Sequence, residues 1–186
     1  CHNVDVDEAS WKLYYYKNNK FFFLAGITST NLTSITVNPN CKVTTRGVFE
    51  GCNNLVHLTI PFMAVNGDPA YLCELFKETF TLDRSIVPST LKSITISGGE
   101  LESFAFDKCT TIESVTLLPG VKSVGESVFN SCSSLTSVNI LCDLDCIEHS
   151  MFSECTALKS VTITGKVKRI KDWAFSECKE LVYVNI

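Results

Sequence analysis

Apolar residues recur along this chain in one fixed figure. It reads Phe-x-x-Cys-x-x-Leu-x-x-Leu-x-Ile, with aliphatic exchanges at the last three places. The Phe and Cys pairs are Phe49/Cys52, Phe106/Cys109, Phe129/Cys132, Phe152/Cys155 and Phe175/Cys178. The last four pairs recur every 23 residues, whereas 57 residues separate Phe49 from Phe106, so an insertion lies between them. The aliphatic tails are Leu55/Leu58/Ile60, Ile112/Val115/Leu117, Leu135/Val138/Ile140, Leu158/Val161/Ile163 and Leu181/Val184/Ile186. Two further tails, Leu32/Ile35/Val37 and Leu91/Ile94/Ile96, lack the Phe and Cys. Their last two apolar residues lie two apart, the period of a strand with one buried face, so seven strands are predicted. Upstream positions repeat as well. Val121, Leu144 and Val167 stand eight before a Phe, and Val124, Ile147 and Ile170 stand five before. Val48, Ala105, Val128, Met151 and Ala174 directly precede one.

A 23-residue unit of this kind cannot bury its apolar face alone, but stacked units share a continuous core. The pattern therefore predicts a solenoid whose strands form a parallel sheet, with the Phe rings in a column under the opposite wall. Cys52, Cys109, Cys132, Cys155 and Cys178 then form a second inner column. Buried Cys behaves as a small hydrophobe, and a column of five cannot pair completely, so these are read as free thiols. Cys41 stands eight before Phe49, another core place. Cys142 and Cys146 form a C-x₃-C with three readings: a local disulfide, half a metal site, or two unrelated thiols. The spacing suits a first pair of zinc ligands, but no second pair follows, which favours unpaired thiols.

The repeats resemble the BspA-like leucine-rich repeat family. Val121-Lys-Ser-Val-Gly-Glu-Ser-Val-Phe-Asn-Ser-Cys-Ser-Ser-Leu-Thr-Ser-Val-Asn-Ile140 is similar to the family pattern. Tyr71-Leu72-Cys73-Glu74-Leu75-Phe76, followed by Val87-Pro88-Ser89-Thr90-Leu91-Lys92-Ser93-Ile94-Thr95-Ile96, resembles an expanded repeat of that family. The likeness runs over about residues 27–186. It implies a leucine-rich repeat solenoid: a right-handed superhelix with a parallel β-sheet on one face, mostly β, with short turns and helical segments. It also implies a secreted or surface-displayed protein of adhesion or recognition, with no catalytic residues.

In this reading residues 27–186 form the solenoid, about seven 23-residue turns with an insertion near 61–90. Residues 1–26 form a separate cap. From Trp11 to Phe23 seven of thirteen residues are aromatic, and Lys17-Asn18-Asn19-Lys20 separates two β-favouring runs. That reads as a hairpin covering the first turn; the rival is an exposed aromatic platform. Within the insertion, Ala70 to Phe76 predicts a short helix facing the core with Leu72, Leu75 and Phe76. Insertions between repeats often carry binding, and a packed loop without a partner is the alternative. At the termini, Ile186 ends a strand with no capping segment after it. That predicts either a longer natural protein or an open end that pairs with another molecule. Cys1 in place of Met predicts a processed or truncated start.

Strand alternation turns two columns outward. One is Ser34, His57, Ser93, Ser114, Ser137, Ser160 and Tyr183. The other is Thr36, Thr59, Thr95, Thr116, Asn139, Thr162 and Asn185. These form the candidate recognition face. The plainer reading is a solvated sheet with hydroxyl ladders, since the columns lack the Trp, Tyr and Arg anchors of binding hot spots except at Tyr183.

Composition narrows the classes. Sixteen Lys and Arg against 20 Asp and Glu give a net charge of −4 over 186 residues. No basic run marks a nucleic-acid partner, and no apolar stretch is long enough to span a membrane. Hydrophobic residues at 45% and charged residues at 19% argue for a folded core. Ten cysteines fall short of the density of a disulfide scaffold. His57 points away from Cys52, no local signature supports a dyad of His149 with Cys146, and Glu100, Glu102 and Asp107 only bracket a loop. No enzyme, cofactor or metal site is expected. The expected partner is a protein or glycan, with host extracellular matrix among the choices.

Overall fold

Each aliphatic tail extends because its β-branched and hydroxyl residues suit a pleated, half-buried surface. In the computed structural model the described residues are 12–15, 22–25, 30–37, 39, 43–44, 46–61, 64–65, 71–77, 83 and 85–185. The strands are β1 (Lys12–Tyr15), β2 (Phe22–Ala25), β3 (Ser34–Thr36), β4 (Val43–Thr44), β5 (His57–Pro61), β6 (Ala64–Val65) and β7 (Ser93–Leu101). They continue as β8 (Ser114–Leu117), β9 (Val121–Val124), β10 (Ser137–Ile140), β11 (Leu144–Ile147), β12 (Ser160–Ile163), β13 (Val167–Ile170) and β14 (Tyr183–Asn185). Helix among the described residues is one 3₁₀ turn, Leu72–Leu75, rather than several segments.

The seven predicted strands pair in the order β14-β12-β10-β8-β7-β5-β3, all parallel. Seven strands bound six turns, and the chain is a parallel β-solenoid. Register follows the repeat: Ser114, Ser137, Ser160 and Tyr183 stand side by side. A second wall runs behind the sheet. It holds β2, β4 and β6, then the end of β7 against β9, then β11 against β13. β7 serves both walls, and its ladder shifts register at Gly99, where φ is +94°. Where sheet gives way to second wall, successive turns nearly touch. A Cβ at Gly120 would meet the Ser97 carbonyl oxygen at 2.3 Å, and one at Gly165 would meet that of Cys142 at 1.9 Å.

The core is the predicted pair of columns. Phe106, Phe129, Phe152 and Phe175 stack with centroids 5.2, 5.5 and 5.5 Å apart and near-parallel rings. Three of the thiols reach back to the ring column's backbone. Cys132, Cys155 and Cys178 donate to the carbonyls of Phe106, Phe129 and Phe152 at 3.1, 3.1 and 3.0 Å. Burial pushes the Cys109, Cys132 and Cys155 thiols far up from their ordinary pKa, and that of Cys178, in the last turn, up to about 11. None of the eight described cysteines is in a disulfide. Among the three readings of C-x₃-C the local disulfide therefore falls. Cys142 joins the core, and Cys146 donates to Glu148 Oε1 at 2.7 Å. Cys1 and Cys41 lie outside the described residues.

The stretch expected as an insertion contributes a ring of its own. Phe76 lies 5.7 Å from Phe49, and Phe49 N–H donates to the Leu75 carbonyl at 2.7 Å. Phe129 makes the same bond to Met151 at 2.9 Å. Leu72, Leu75 and Phe76 are buried as predicted. Glu74, buried among them, pairs with Arg46 and accepts the Tyr71 N–H at 3.2 Å. The described part of this stretch, residues 71–77, packs into the stack.

Every regular turn bends twice through left-handed backbone. Phe104, Ser127, Ser150 and Trp173 stand two before a Phe, and Lys108, Ser131, Glu154 and Glu177 two after, all with φ between 52° and 64°. Gly47 and Gly51 hold these places around Phe49. In one respect the inward assignment is corrected. Ile170, the counterpart of buried Val124 and Ile147, is 47% exposed because no turn covers the last one among the described residues. At the other end β1 and β2 pair antiparallel, Tyr14 opposite Phe23, and β2 lies parallel to β4. β1 and β2 thus extend the second wall, and the residues between them lie outside the described ones.

Position in the stack sets what each ring contributes. Phe129→Ala should cost about 3–5 kcal/mol, and Phe175→Ala, in the half-covered last turn, clearly less. Urea denaturation of both variants checks this, and equal losses would contradict it.

Candidate recognition face

The outward columns are built by backbone register before any side chain acts. The Glu113 carbonyl accepts N–H groups from both Thr136 and Ser137, at 2.9 and 3.3 Å. Thr33, Val56, Lys92, Thr136 and Lys159 do the same for the strands that follow them. This double acceptor ahead of each strand sets which residue turns out. Ser34/Thr36, His57/Thr59, Ser93/Thr95, Ser114/Thr116, Ser137/Asn139, Ser160/Thr162 and Tyr183/Asn185 therefore align across all seven strands.

Exposure divides the face. Ser34, Thr36, His57, Asn139, Tyr183 and Asn185 are exposed, whereas the hydroxyls between them are half-covered by their neighbours. At the parallel-strand spacing of about 4.7–4.9 Å, small side chains shield one another and leave a flat, neutral surface. Near one end His57 Nδ1 and Ser93 Oγ share a hydrogen bond of 2.6 Å. At the other end Tyr183 stands 54% exposed. Charge stays at the border, where Lys92 pairs with Glu113 at 3.1 Å. Directly after the strands come Leu118 and Leu141, an apolar border that the sequence reading did not single out.

A concave feature lies on the opposite wall. A groove of about 480 Å³ is lined by Lys122, Lys166, Lys168, Asp143, Asp145 and Glu148 among others. Its charges are largely spent on one another. Lys168 donates to Asp145 at 2.8 Å, a pairing that holds the Asp145 carboxyl below its ordinary pKa. Lys171 pairs with Glu148, and Asp143 accepts the Lys166 N–H at 2.8 Å. Burial pushes the Cys146 thiol up. These pairs join residues 23 apart, on neighbouring turns, and no local motif announces them.

The residues weighed for catalysis lie apart. Cys52 is fully buried while His57 is exposed on the outer face. Cys146 bonds to Glu148, and His149 is exposed. Asp107 accepts from Asn130 at 2.9 Å.

The sequence profile described as BspA type Leucine rich repeat region matches residues 25–97 and 73–186, in 6 copies. The chain belongs to the BspA-type leucine-rich repeat family. Two solved structures, from Bacteroides ovatus and T. pallidum, share the fold of this BspA-type chain. A leucine-rich repeat protein from Bacteroides ovatus superposes with TM-score 0.50 at 20% identity, over 98% of this chain and 53% of that one. A T. pallidum leucine rich repeat protein gives TM-score 0.51 at 14% identity, over 92% and 88%. A leucine rich cell surface protein from Faecalibacterium prausnitzii gives 0.47 at 21%, over 83% and 48%. The chain thus spans about half the length of the Bacteroides and Faecalibacterium proteins. No curated protein matches it in sequence. Leucine-rich repeat proteins are in general non-catalytic, and no helix among the described residues is long and apolar enough to cross a membrane.

In this BspA-type sheet, neighbouring residues face opposite ways. Ser137→Asp should change stability by less than about 0.5 kcal/mol. Val138→Asp, which puts an unpaired charge in the core, should cost at least about 3 kcal/mol. Thermal melting of the two variants checks the alternation, and comparable losses would refute it.

Proposed function

We propose that this protein is a secreted or surface-displayed, non-catalytic recognition module that adheres to a host protein or glycan through the outer face of its seven-strand sheet. The carrying observation is the continuity of that face. Residues from Ser34 to Asn185 present one flat, neutral surface in a single register, and extended solenoid surfaces are suited to binding. His57 and Tyr183 supply the larger side chains near its two ends. The stretch at 61–90 adds a second point of contact at the side of the stack. Membership of the BspA-type family supports a binding role over a catalytic one.

A second reading has its own support. The central hydroxyls are half-covered and lack aromatic anchors, as in a repeat segment that merely spaces or displays other domains. Immobilised matrix proteins and a glycan array separate the two. Saturable binding, weakened at least tenfold (about 1.4 kcal/mol) by Ser114→Glu with Ser137→Glu, is expected of the recognition module. Binding that survives both this pair and deletion within the 61–90 stretch would place recognition elsewhere. No saturable binding would leave the spacer.

A further inference from the structure

The second wall has a seam in it. β7 pairs with β9 and β11 with β13, but no ladder joins β9 to β11. Backbone bonds at places 23 residues apart mark the same break. Leu144 N–H donates to the Lys166 carbonyl of the following turn at 2.9 Å. Its counterpart, Val121 N–H, turns back to the Leu118 carbonyl at 3.0 Å. At the far end of these strands Gly125 N–H reaches the Leu101 carbonyl at 2.7 Å, and Lys171 N–H reaches that of Ile147 at 2.9 Å. Glu148 N–H, in the same place, makes no such bond to Val124 among the described residues. The local cause is the stretch Leu118-Pro119-Gly120-Val121. Pro and Gly favour a tight turn, and the turn that closes there takes the N–H that would open the next ladder. The matching stretches, Leu141-Cys142-Asp143-Leu144 and Thr164-Gly165-Lys166-Val167, lack Pro-Gly.

Backbone amides and carbonyls along an open seam need partners from outside the wall. The groove of about 480 Å³ lies over it, lined by Ser123 and Val124 of β9 and by Leu144, Asp145 and Cys146 of β11. That volume is within the range of small-molecule sites. Charge then selects the ligand. Asp145 is held by Lys168 and Glu148 by Lys171, and Asp143 accepts the Lys166 N–H. Lys122 and Lys166 also line the groove and are exposed, and neither ammonium group has an ion-pair partner among the described residues. They stand on the turns either side of β11, so a ligand over the seam lies between them. The unspent charge is therefore positive, and the strand edges offer both donors and acceptors. A ligand with hydroxyl groups and one acidic group satisfies both.

We propose that this seam binds an acidic sugar unit. Its carboxylate sits between Lys122 and Lys166, and its hydroxyls meet Ser123 and the open edges of β9 and β11. The site lies on the wall opposite the seven-strand sheet and stands independently of the recognition face.

The test titrates the ¹⁵N-labelled full chain with methyl β-D-glucuronide at low ionic strength and reads the amides of Ser123, Asp145 and Glu148 by NMR. Methyl β-D-glucoside supplies the neutral sugar, and sodium sulfate the free anion. The glucuronide should shift these amides saturably and more tightly than either control. Lys122→Ala with Lys166→Ala should weaken it about fivefold or more, through loss of two charge contacts. Ser114→Glu with Ser137→Glu, on the opposite face, should leave it unchanged. Absence of a saturable shift at these amides would overturn the proposal, as would undiminished binding in the lysine variant. Equal binding of the glucoside or of sulfate alone would overturn it too, and so would loss of binding in the serine variant.

Discussion

A single turn of this chain leaves its phenylalanine ring and its thiol half-covered until the next turn is laid down. Phe106, Phe129 and Phe152 each carry three of the stack's links at once. The ring of each meets the next ring at about van der Waals separation, and its N–H donates into the following turn. Its carbonyl takes a thiol from that same turn. The rings supply hydrophobic area, roughly 150–250 Å² each, and the thiol adds a second donor, from the next turn, to a carbonyl that already accepts the N–H of the Cys three residues on. Serine would satisfy the same acceptor but carry a more polar group into the core, which explains the choice of cysteine.

From this column the rest of the molecule takes its register. Once the Phe places align, the residues ahead of each strand become double acceptors and the Ser and Thr columns face outward together. The same 23-residue offset brings Asp145 to Lys168 and Glu148 to Lys171 on the second wall. The exposed Asp145–Lys168 pair adds little stability by itself. The outer face can thereby vary without touching the column that holds the turns together.

The column, the seven strands and the outward face were legible in the sequence because each depends on a period that single residues display. Other features were hidden for physical reasons. Ser127, Ser150, Glu154 and Trp173 adopt left-handed backbone without being glycine, and only Gly47 and Gly51 hint at it. Phe76 escaped the repeat count because its spacing from Phe49 is 27, not 23. Ile170 fits the buried pattern, yet burial there depends on a covering turn rather than on the residue itself. The groove on the second wall arises from pairs between turns, which no local motif encodes.

Thiol accessibility reaches the column most directly. Unreduced protein can be alkylated in the native state and again after denaturation, and each cysteine quantified by its peptide. Cys52, Cys109, Cys132 and Cys155 should resist the reagent in the native protein and react fully once unfolded, with Cys178 intermediate. A disulfide at any of these positions, or native labelling as fast as in the unfolded chain, would contradict the stacked column.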